Sequence, residues 1–387
     1  MNLTTGIVVL LRKPVWFLNL IKKDVFWDEN TNPEFGNGFL LNANGHHPSE
    51  SPFAFEWWYF DVSLNDGSAA TFIFHLSDLL KPNSKFGSIN ISLFKPGFNT
   101  KTWFIRYPVA QIKASTEKCN VKIGKNTCRN ISDSIYEIKI DEADIKVDLR
   151  FISQMNAWRP GKGKIHFGKV TDYFAWLVPQ PRAKVSGQIR VKDSDWDING
   201  IGYHDHNWGT VPLINILNAW TWGRLYFEEF TMVYADLFLA QNFVPARALP
   251  FMLAKGNEIV ISDFLNEHLP INRGHDFLLN PEDVDNPEGW TISWKKENHW
   301  LKLKLKTRFV LEKADLLNSH HPVIKKMIEL LVAHPYYIRC FVDAEGIISV
   351  DGHPEKVISK QAICEQIVFR HSRLKNINHK FEKQDGN

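Results

Sequence analysis

The stretch that decides the fold is Phe55-Glu56-Trp57-Trp58-Tyr59-Phe60-Asp61. Aromatic residues dominate it, and such residues are enriched in β-strands. Because successive side chains of a strand point to opposite faces, Trp57, Tyr59 and Asp61 should share one face. Glu56, Trp58 and Phe60 should share the other face. The segment therefore predicts a strand at the start of a β-rich region.

Outward from this stretch, short β-like runs alternate with turn signals. Two turns are predicted between runs, at Asn65-Asp66-Gly67 and at Glu345-Gly346, because Gly accepts the positive φ of a tight turn. One segment, Pro322 to His334, has helical spacing. The sequence therefore predicts an all-β chain of sandwiches or barrels with one or two short helices. The predicted strands are Glu56–Leu64, Ala70–Leu76, Ser88–Phe94, Thr102–Tyr107, Ile135–Ile140, Ile145–Ile152, Trp176–Val178, Lys184–Val191, Thr221–Phe227, Phe230–Leu239, Ala248–Lys255, Glu258–Phe264, Thr291–Trp294, Trp300–Phe309, Tyr336–Ala344, Ile347–Val350 and Gln361–Phe369.

Length and charge limit the functional classes. A chain of 387 residues is typical of two domains. Its 46 basic and 43 acidic residues nearly balance, which gives no reason to expect nucleic-acid binding. The alternation of Leu and Lys over 301–306 is typical of a strand with one solvated face. The 14 Trp, 27 Phe and 9 Tyr either fill a core or line a pocket for an apolar, unsaturated ligand.

The N-terminus and the cysteines bear on location. The apolar run 7–11 is too short for a signal peptide, and no apolar run is long enough to cross a bilayer. We therefore expect a cytoplasmic protein, whose basic, aromatic first 27 residues could touch a membrane surface. Cys119 and Cys128 could flank a hairpin, but free buried thiols fit a chain without an export signal.

Glu56 lies between bulky aromatic residues, where burial of a carboxylate costs several kcal/mol unless it is paired or protonated. One interpretation is a carboxylate at a domain edge, bonded to backbone or to an Arg. The other is an acid or polar anchor in an aromatic pocket, with its pKa raised toward neutrality by desolvation.

A second motif is Gly200-Ile201-Gly202-Tyr203-His204-Asp205-His206-Asn207-Trp208-Gly209. Its glycines indicate a bulge or close backbone approach. His204 and His206 should share one face, with Asp205 opposite. Three interpretations stay open: a zinc site with His75 as a distant third ligand, a His–Asp pair for acid–base chemistry, and a structural hydrogen-bond network. We favour no metal.

A third cluster is Trp220-Thr221-Trp222-Gly223-Arg224-Leu225-Tyr226. Trp220, Trp222 and Arg224 alternate onto one face. Indole rings beside one guanidinium suit an unsaturated ligand that carries a carbonyl or enolate oxygen, although core packing with a salt bridge would give the same pattern.

Several cofactor and catalytic motifs are absent from the sequence. It has no G-x-G-x-x-G, no G-x-x-x-x-G-K-[ST] and no G-x-S-x-G. Nucleotide-dependent redox chemistry, phosphoryl transfer and α/β-hydrolase chemistry are therefore poorly supported, and we expect no cofactor.

The first two motifs together, with Trp222-Gly223-Arg224, resemble the carotenoid 1,2-hydratases, also called hydroxyneurosporene synthases. They are equally similar to the related AttH-like proteins and to the fungal decalin-forming Diels–Alderases. The resemblance covers about residues 45 to 370. It implies two lipocalin-like, or calycin, β domains, which we place at 46–225 and 226–387 after an arm at 1–45.

The resemblance also implies a pocket between or inside the domains for a large apolar polyene, and cofactor-free chemistry on it. Carried over by position, the expected catalytic residues are Glu56, Asp61, Tyr203, Asp205 and Arg224. The expected substrate-binding residues are Trp57, Trp58, Tyr59, His75, His204, Asn207, Trp208, Trp220, Trp222 and Tyr226. Ala362-Ile363-Cys364-Glu365 resembles a family strand that often has Gly in place of Ala362, which weakens the case for Glu365.

Three functions follow as expectations. The first is a cyclase of the Diels–Alder kind, which folds a linear polyene into a reactive conformer. The second is a hydratase, in which an acid protonates a terminal alkene and water adds to the cation. The third, from another class, is a carrier that binds an apolar molecule and leaves it unchanged.

Overall fold

A computed structural model of the chain describes residues 22–28, 34–36, 38, 40–77, 85–132, 134–192, 194–240, 242–244, 247–263, 289–315 and 336–369. This part of the chain is almost entirely β-structure, as the sequence predicts. Its two helices, α1 (Leu40–Ala43) and α2 (Leu213–Ile216), are four residues each. A single 3-10 turn spans Val109–Gln111. The predicted helix Pro322–His334 lies outside the described residues.

The first sheet has 16 strands and forms a nearly closed barrel. Its strands are β1 (Lys23–Trp27), β2 (Glu34–Phe35), β3 (Phe55–Ser63), β4 (Ala69–His75), β5 (Phe86–Phe94), β6 (Lys101–Pro108), β7 (Ile112–Ala114), β8 (Asn120–Ile123), β9 (Asn126–Ser132), β10 (Ile135–Asp141), β11 (Ile145–Ser153), β12 (Trp158–Arg159), β13 (Lys164–Phe167), β14 (Tyr173–Val191), β15 (Ser194–Gly209) and β18 (Phe243–Val244). The main path of the sheet is antiparallel and follows the order β6-β5-β4-β3-β15-β14-β11-β10-β9-β8-β7, with the short strands at its margin.

The second sheet has nine strands and forms a half-barrel. The strands of this sheet are β16 (Leu217–Tyr226), β17 (Phe230–Leu239), β19 (Arg247–Ala248), β20 (Phe251–Lys255), β21 (Glu258–Asp263), β22 (Gly289–Lys296), β23 (His299–Asp315), β24 (Tyr336–Val350) and β25 (His353–Val368). Their order is β21-β20-β17-β16-β25-β24-β23-β22, with β19 beside β17. The chain passes from the first sheet to the second over 210–216, so the predicted domain change at 225/226 falls at the end of β16.

Each sheet packs a core of its own, and a third core joins them. The first barrel is filled from one face of β3 by Trp58, Phe60 and Val62. The opposite face of β3, with Trp57 and Tyr59, packs toward the second sheet. The alternation predicted for residues 55–61 is therefore confirmed. One face of β3 packs into the core of the first sheet, and the other face packs against the second sheet.

The turn predicted at Asn65-Asp66-Gly67 is confirmed. Gly67 has φ of +84° in the β3–β4 hairpin, and the Ser68 N–H donates to Asp66 Oδ1 at 2.8 Å.

The alternation predicted over residues 301–306 is also confirmed. Leu301, Leu303 and Leu305 are buried, while the lysines between them are exposed.

Two predicted strand breaks are wrong. Glu345 and Gly346 lie inside the continuous strand β24 and pair with β23. A Cβ on Gly346 would stand 2.1 Å from the Lys302 carbonyl oxygen. The glycine therefore allows β24 to lie close to β23 and does not form a turn. Likewise, β14 runs through Pro179 and Pro181, where its pairing with β15 shifts register. Proline is tolerated in a sheet at such irregularities.

Two smaller expectations concern the cysteines and the membrane. Cys119, Cys128, Cys340 and Cys364 are all free and buried. None of the helices in the described part of the chain has the length and apolarity that a bilayer crossing requires. Residues 1–21 of the N-terminal arm lie outside the described residues.

Candidate active site

A cleft lies between the two sheets and encloses a cavity of about 60 Å³. This aromatic cleft is walled from the first sheet by Trp57, Tyr59, Phe174, Trp176, Asp205 and Asn207, and from the second by Leu217, Trp220, Trp222, Ala235, Leu237 and Glu365. Four indoles and two carboxyls thus converge on one space. The cavity is smaller than the about 300–1,000 Å³ of pockets that hold drug-sized ligands, so it encloses only part of such a ligand.

Asp205 is one of two polar residues that β15 presents to the cleft, beside Asn207. It accepts hydrogen bonds from Tyr203 Oη at 2.9 Å, Trp176 Nε1 at 3.1 Å and Asn207 Nδ2 at 2.8 Å. Burial nevertheless raises the pKa of Asp205 to about 8, and the negative charge of Glu365 adds to the rise. Asp205 is therefore a carboxylic acid at neutral pH, which can donate a hydrogen bond or a proton.

The opposite wall of the cleft carries Glu365, from β25. Tyr337 Oη donates to it at 2.9 Å, and Arg339 Nη2 lies 3.3 Å from the same oxygen. Trp220 Nε1, at 3.3 Å, contacts its other oxygen. Two carboxyls in different environments therefore face one cleft, an arrangement that separates acid and anion roles.

Asp61 and Arg224, both expected to be catalytic, are partners of one another beneath the cleft. Arg224 Nη2 lies 2.6 Å from Asp61 Oδ1, and both side chains are fully buried. Arg224 also donates to the Gln361 carbonyl at 2.6 Å, and its guanidinium stacks on the Tyr226 ring at 4.5 Å. The pair fixes the second sheet to the first and is not among the residues that line the cleft.

Glu56 lies on the other face of β3, away from the aromatic cleft. Burial alone would raise its pKa, but contacts from His206, His46 and His47 outweigh burial and hold the pKa well below its usual range. The expectation that desolvation raises the pKa of Glu56 is therefore wrong. His46 and His47 come from the lead-in segment, where nothing in the sequence marked them as partners of Glu56.

The alternation expected over 203–208 is observed. His204 stacks on Phe60 at 3.9 Å, while His206 lies between Trp58 and Trp208, with ring centroids 4.2 and 4.7 Å away. Burial lowers the pKa of His204 to about 3 and that of His206 to about 4, so both are neutral. These histidines face the first barrel, whereas Asp205 faces the cleft.

The expected site residues thus fall into three groups. Those in the cleft wall are Trp57, Tyr59, Asp205, Asn207, Trp220 and Trp222. Those buried at its margin are Asp61, His75, Tyr203, Arg224 and Tyr226. Those on the opposite face are Glu56, Trp58, His204 and Trp208. The ring centroid of His75 lies 6.2 Å from that of Trp57, and His75 is not part of the histidine cluster around Glu56.

Sequence reasoning missed part of the cleft wall. Phe174 and Trp176 alternate in the strand β14, so the same period-two argument would have found them. Ala235 and Leu237 carry no sequence signal, because small and aliphatic residues fill any strand of a core.

A wider open depression of about 780 Å³ is lined by residues of β6, β7, β8, β10 and β11 and of the turns beside them. Four of its lining residues are Lys113, Lys122, Lys125 and Lys146. Charged ammonium groups prefer water to an apolar surface, so this depression does not suit an apolar ligand. The aromatic cleft is the better candidate.

Fold and cleft together define a two-domain, calycin-like β protein with an aromatic cleft between its sheets. The chain belongs to the family described as a domain of unknown function, DUF7064, whose model matches residues 41–260.

Two curated relatives match by sequence. Hydroxyneurosporene dehydrogenase of Chlorobaculum tepidum is 25% identical over 234 residues, which is 50% of this chain and 59% of that protein. The quinolone epoxide rearrangement protein asqO of Emericella nidulans is 34% identical over 58 residues, which is 15% of this chain and 16% of that protein. The matches therefore span less than two thirds of either relative.

Solved structures match over nearly the whole fold. CghA in complex with Sch210972 has a TM-score of 0.62 at 14% identity, over 87% of this chain and 99% of that one. A putative AttH protein from Nitrosomonas europaea has a TM-score of 0.59 at 13% identity, over 86% of this chain and 98% of that one. Kievitone hydratase from Nectria haematococca has a TM-score of 0.54 at 13% identity, over 90% of this chain and 95% of that one. These similarities confirm the fold that the sequence resemblance implies.

Proposed function

We propose that this protein is an enzyme that binds an apolar, unsaturated small molecule in the aromatic cleft and closes it into a ring, with Asp205 as its acid. The observation that carries the proposal is the position of the Asp205 carboxyl, held by Tyr203 and Trp176 in a wall made mostly of indole and phenyl rings. Burial of a carboxyl is costly, and the three hydrogen bonds that Asp205 accepts do not cancel the rise that burial causes in its pKa.

The chemistry would combine shape and a hydrogen bond. Rings on both sides of the cleft would hold a linear polyene in one folded conformer, which removes the entropy that ring closure otherwise costs. The acid proton of Asp205 would bind a substrate carbonyl and stabilise the charge that develops on its oxygen. Neither step needs a nucleotide or a redox group.

The relatives support small-molecule chemistry by their names. One is named for hydroxyneurosporene, a carotenoid, and another for the rearrangement of a quinolone epoxide. Among the structural neighbours, one was solved with the compound Sch210972 and one is called a hydratase.

A second candidate function is hydration of an alkene. It is favoured by the protonation of Asp205 at neutral pH and by the indole faces of Trp57 and Trp222, which could stabilise a carbocation. Water, oriented by Glu365 across the cleft, would then add to the cation and give its surplus proton back to the Asp205 carboxylate.

Product analysis in D₂O distinguishes these functions from the carrier alternative. The purified protein is incubated with an acyclic carotenoid, and separately with a linear polyene that carries a carbonyl-activated alkene. A cyclase gives an isomer of unchanged mass without carbon-bound deuterium. A hydratase gives a product heavier by one molecule of D₂O, with one deuterium on carbon, which would refute ring closure. Release of both compounds unchanged would refute both enzymatic proposals and favour a carrier.

A further inference from the structure

We propose that His47, Glu56 and His206 form a binding site for a divalent transition-metal ion such as Zn²⁺, on the face of β3 and β15 opposite to the aromatic cleft. This proposal departs from the sequence-based expectation of no metal. That expectation considered His204, His206 and His75, whereas the fold brings the lead-in segment to Glu56 instead.

The ligand atoms are already close to the spacing that a metal imposes. Glu56 Oε1 lies 2.8 Å from His206 Nε2 and 3.3 Å from His47 Nδ1, and the three ligand atoms lie within 4.8 Å of one another. A tetrahedral ion with bonds of 2.0–2.1 Å separates its ligand atoms by about 3.3 Å. The spacing from Glu56 to His47 already matches this value, and the spacing from Glu56 to His206 would have to open by about half an ångström. An ion would also bring the ligand atoms of His47 and His206, now within 4.8 Å, to the same spacing.

A fourth position is available beside these three. His46 Nδ1 contacts the second carboxylate oxygen, Glu56 Oε2. The His47 backbone N–H also donates to Glu56 Oε1, at 3.0 Å. His46 can therefore orient the carboxylate as an outer partner, or swing toward the ion as a further ligand. Such outer contacts orient ligands and raise metal affinity.

Surrounding rings hold the two histidine ligands in place. His47 stacks on Trp208 with 3.9 Å between centroids and 4° between planes. His206 is sandwiched by Trp58 and Trp208. Rings fixed in this way lose little freedom when they bind an ion, which favours binding.

The ion could enter from solvent. The side chains of His46 and His47 are 29% and 26% exposed, whereas Glu56 and His206 are 5% and 0% exposed. The site thus has a buried floor and an accessible rim. Nitrogen and carboxylate oxygen are ligands that zinc and related divalent ions accept.

The test is zinc binding to the full chain after dialysis against EDTA, followed by calorimetry. We expect one equivalent to bind, and visible absorption bands of tetrahedral Co²⁺ when cobalt replaces zinc. His47→Ala should weaken zinc binding at least tenfold while the protein stays folded, since His47 lies on a surface segment. His353→Ala, an exposed histidine in β25, is the matched control and should bind zinc like the unmodified chain.

Zinc should also raise the melting temperature of the unmodified protein and of His353→Ala, but not of His47→Ala, because an ion that binds only the folded state stabilises it. If the unmodified chain binds no zinc, or if His47→Ala and His353→Ala bind it equally well, the proposal is refuted. The measurement uses no organic substrate, so its outcome is independent of the function proposed for the cleft.

Discussion

Arg224 of the second sheet and Asp61 of the first form an ion pair with Nη2 2.6 Å from Oδ1, and neither side chain is exposed. Arg224 Nη2 also donates to Ser63 Oγ at 3.2 Å, so the guanidinium is bonded to two residues of β3. The pair joins β3 to β16, and both strands contribute side chains to the walls of the cleft. We infer that its role is to hold the two walls at a fixed separation.

Loss of this pair should destabilise the whole protein. Arg224→Met would leave the Asp61 carboxylate buried without its cation, which costs about 3–5 kcal/mol of unfolding free energy. Urea unfolding measures this change. The matched control is Arg190→Met, which breaks an exposed pair with Asp195 and should change the unfolding free energy far less. Equal losses in the two variants would contradict the inferred role.

Asp205→Asn should reduce turnover while the cleft stays intact. If Asp205 transfers a proton, the rate should fall by about 10²–10⁴, because an amide cannot supply one. If it only donates a hydrogen bond, the amide retains part of the effect and the loss should be smaller. The measurement is kcat on whichever polyene is converted. Asp195→Asn, an exposed change on the same strand, is the control and should leave kcat unchanged.

Turnover should fall as pH rises through about 8, because Asp205 must be protonated and its pKa lies there. The groups that face Asp205 are Tyr203 and Asn207 on β15, Trp176 on β14 and Glu365 on β25. Glu365→Gln removes the negative charge that raises the pKa of Asp205. The fall in kcat/KM should then move to lower pH, whereas an unchanged profile would exclude Asp205 as the group that titrates.

Filling the cleft should abolish ligand binding. Ala235 lies in the cleft wall, so Ala235→Phe would place a ring in the free space and leave the polar contacts of Asp205 intact. We expect the affinity for an apolar ligand to fall at least tenfold, as fluorescence titration would show. Ala143→Phe, at an exposed turn position, controls for added hydrophobicity. Retained affinity in Ala235→Phe would show that the ligand binds elsewhere.

Much of the fold was predictable because strand periodicity is a local property. Trp57 and Tyr59 lie on one face of β3 and Trp58 and Phe60 on the other, as the alternation requires. Gly202 was predicted to allow close approach, and a Cβ there would stand 2.4 Å from the Asp61 carbonyl oxygen. These features need only the positions of neighbours along the chain.

The partners of charged groups were not predictable in the same way. Glu56 was expected to be an acid in the aromatic pocket, but the segment that precedes β3 folds back and gives it histidines instead. A pKa depends on which groups surround a carboxyl, and those groups are far apart in sequence. For Asp205 the decisive neighbours, Trp176 and Glu365, lie on two other strands.

By itself, therefore, the sequence determined that this chain is all-β, that aromatic residues of 55–61 and 203–208 share strand faces, and that polar groups lie among them. Only the tertiary structure decided which face meets the second sheet, that Asp205 and not Glu56 lies in the cleft wall, and that Asp61 and Arg224 pair. The physical reason is that periodicity is fixed by the backbone of each strand, whereas burial and charge pairing arise from contacts between strands distant along the chain.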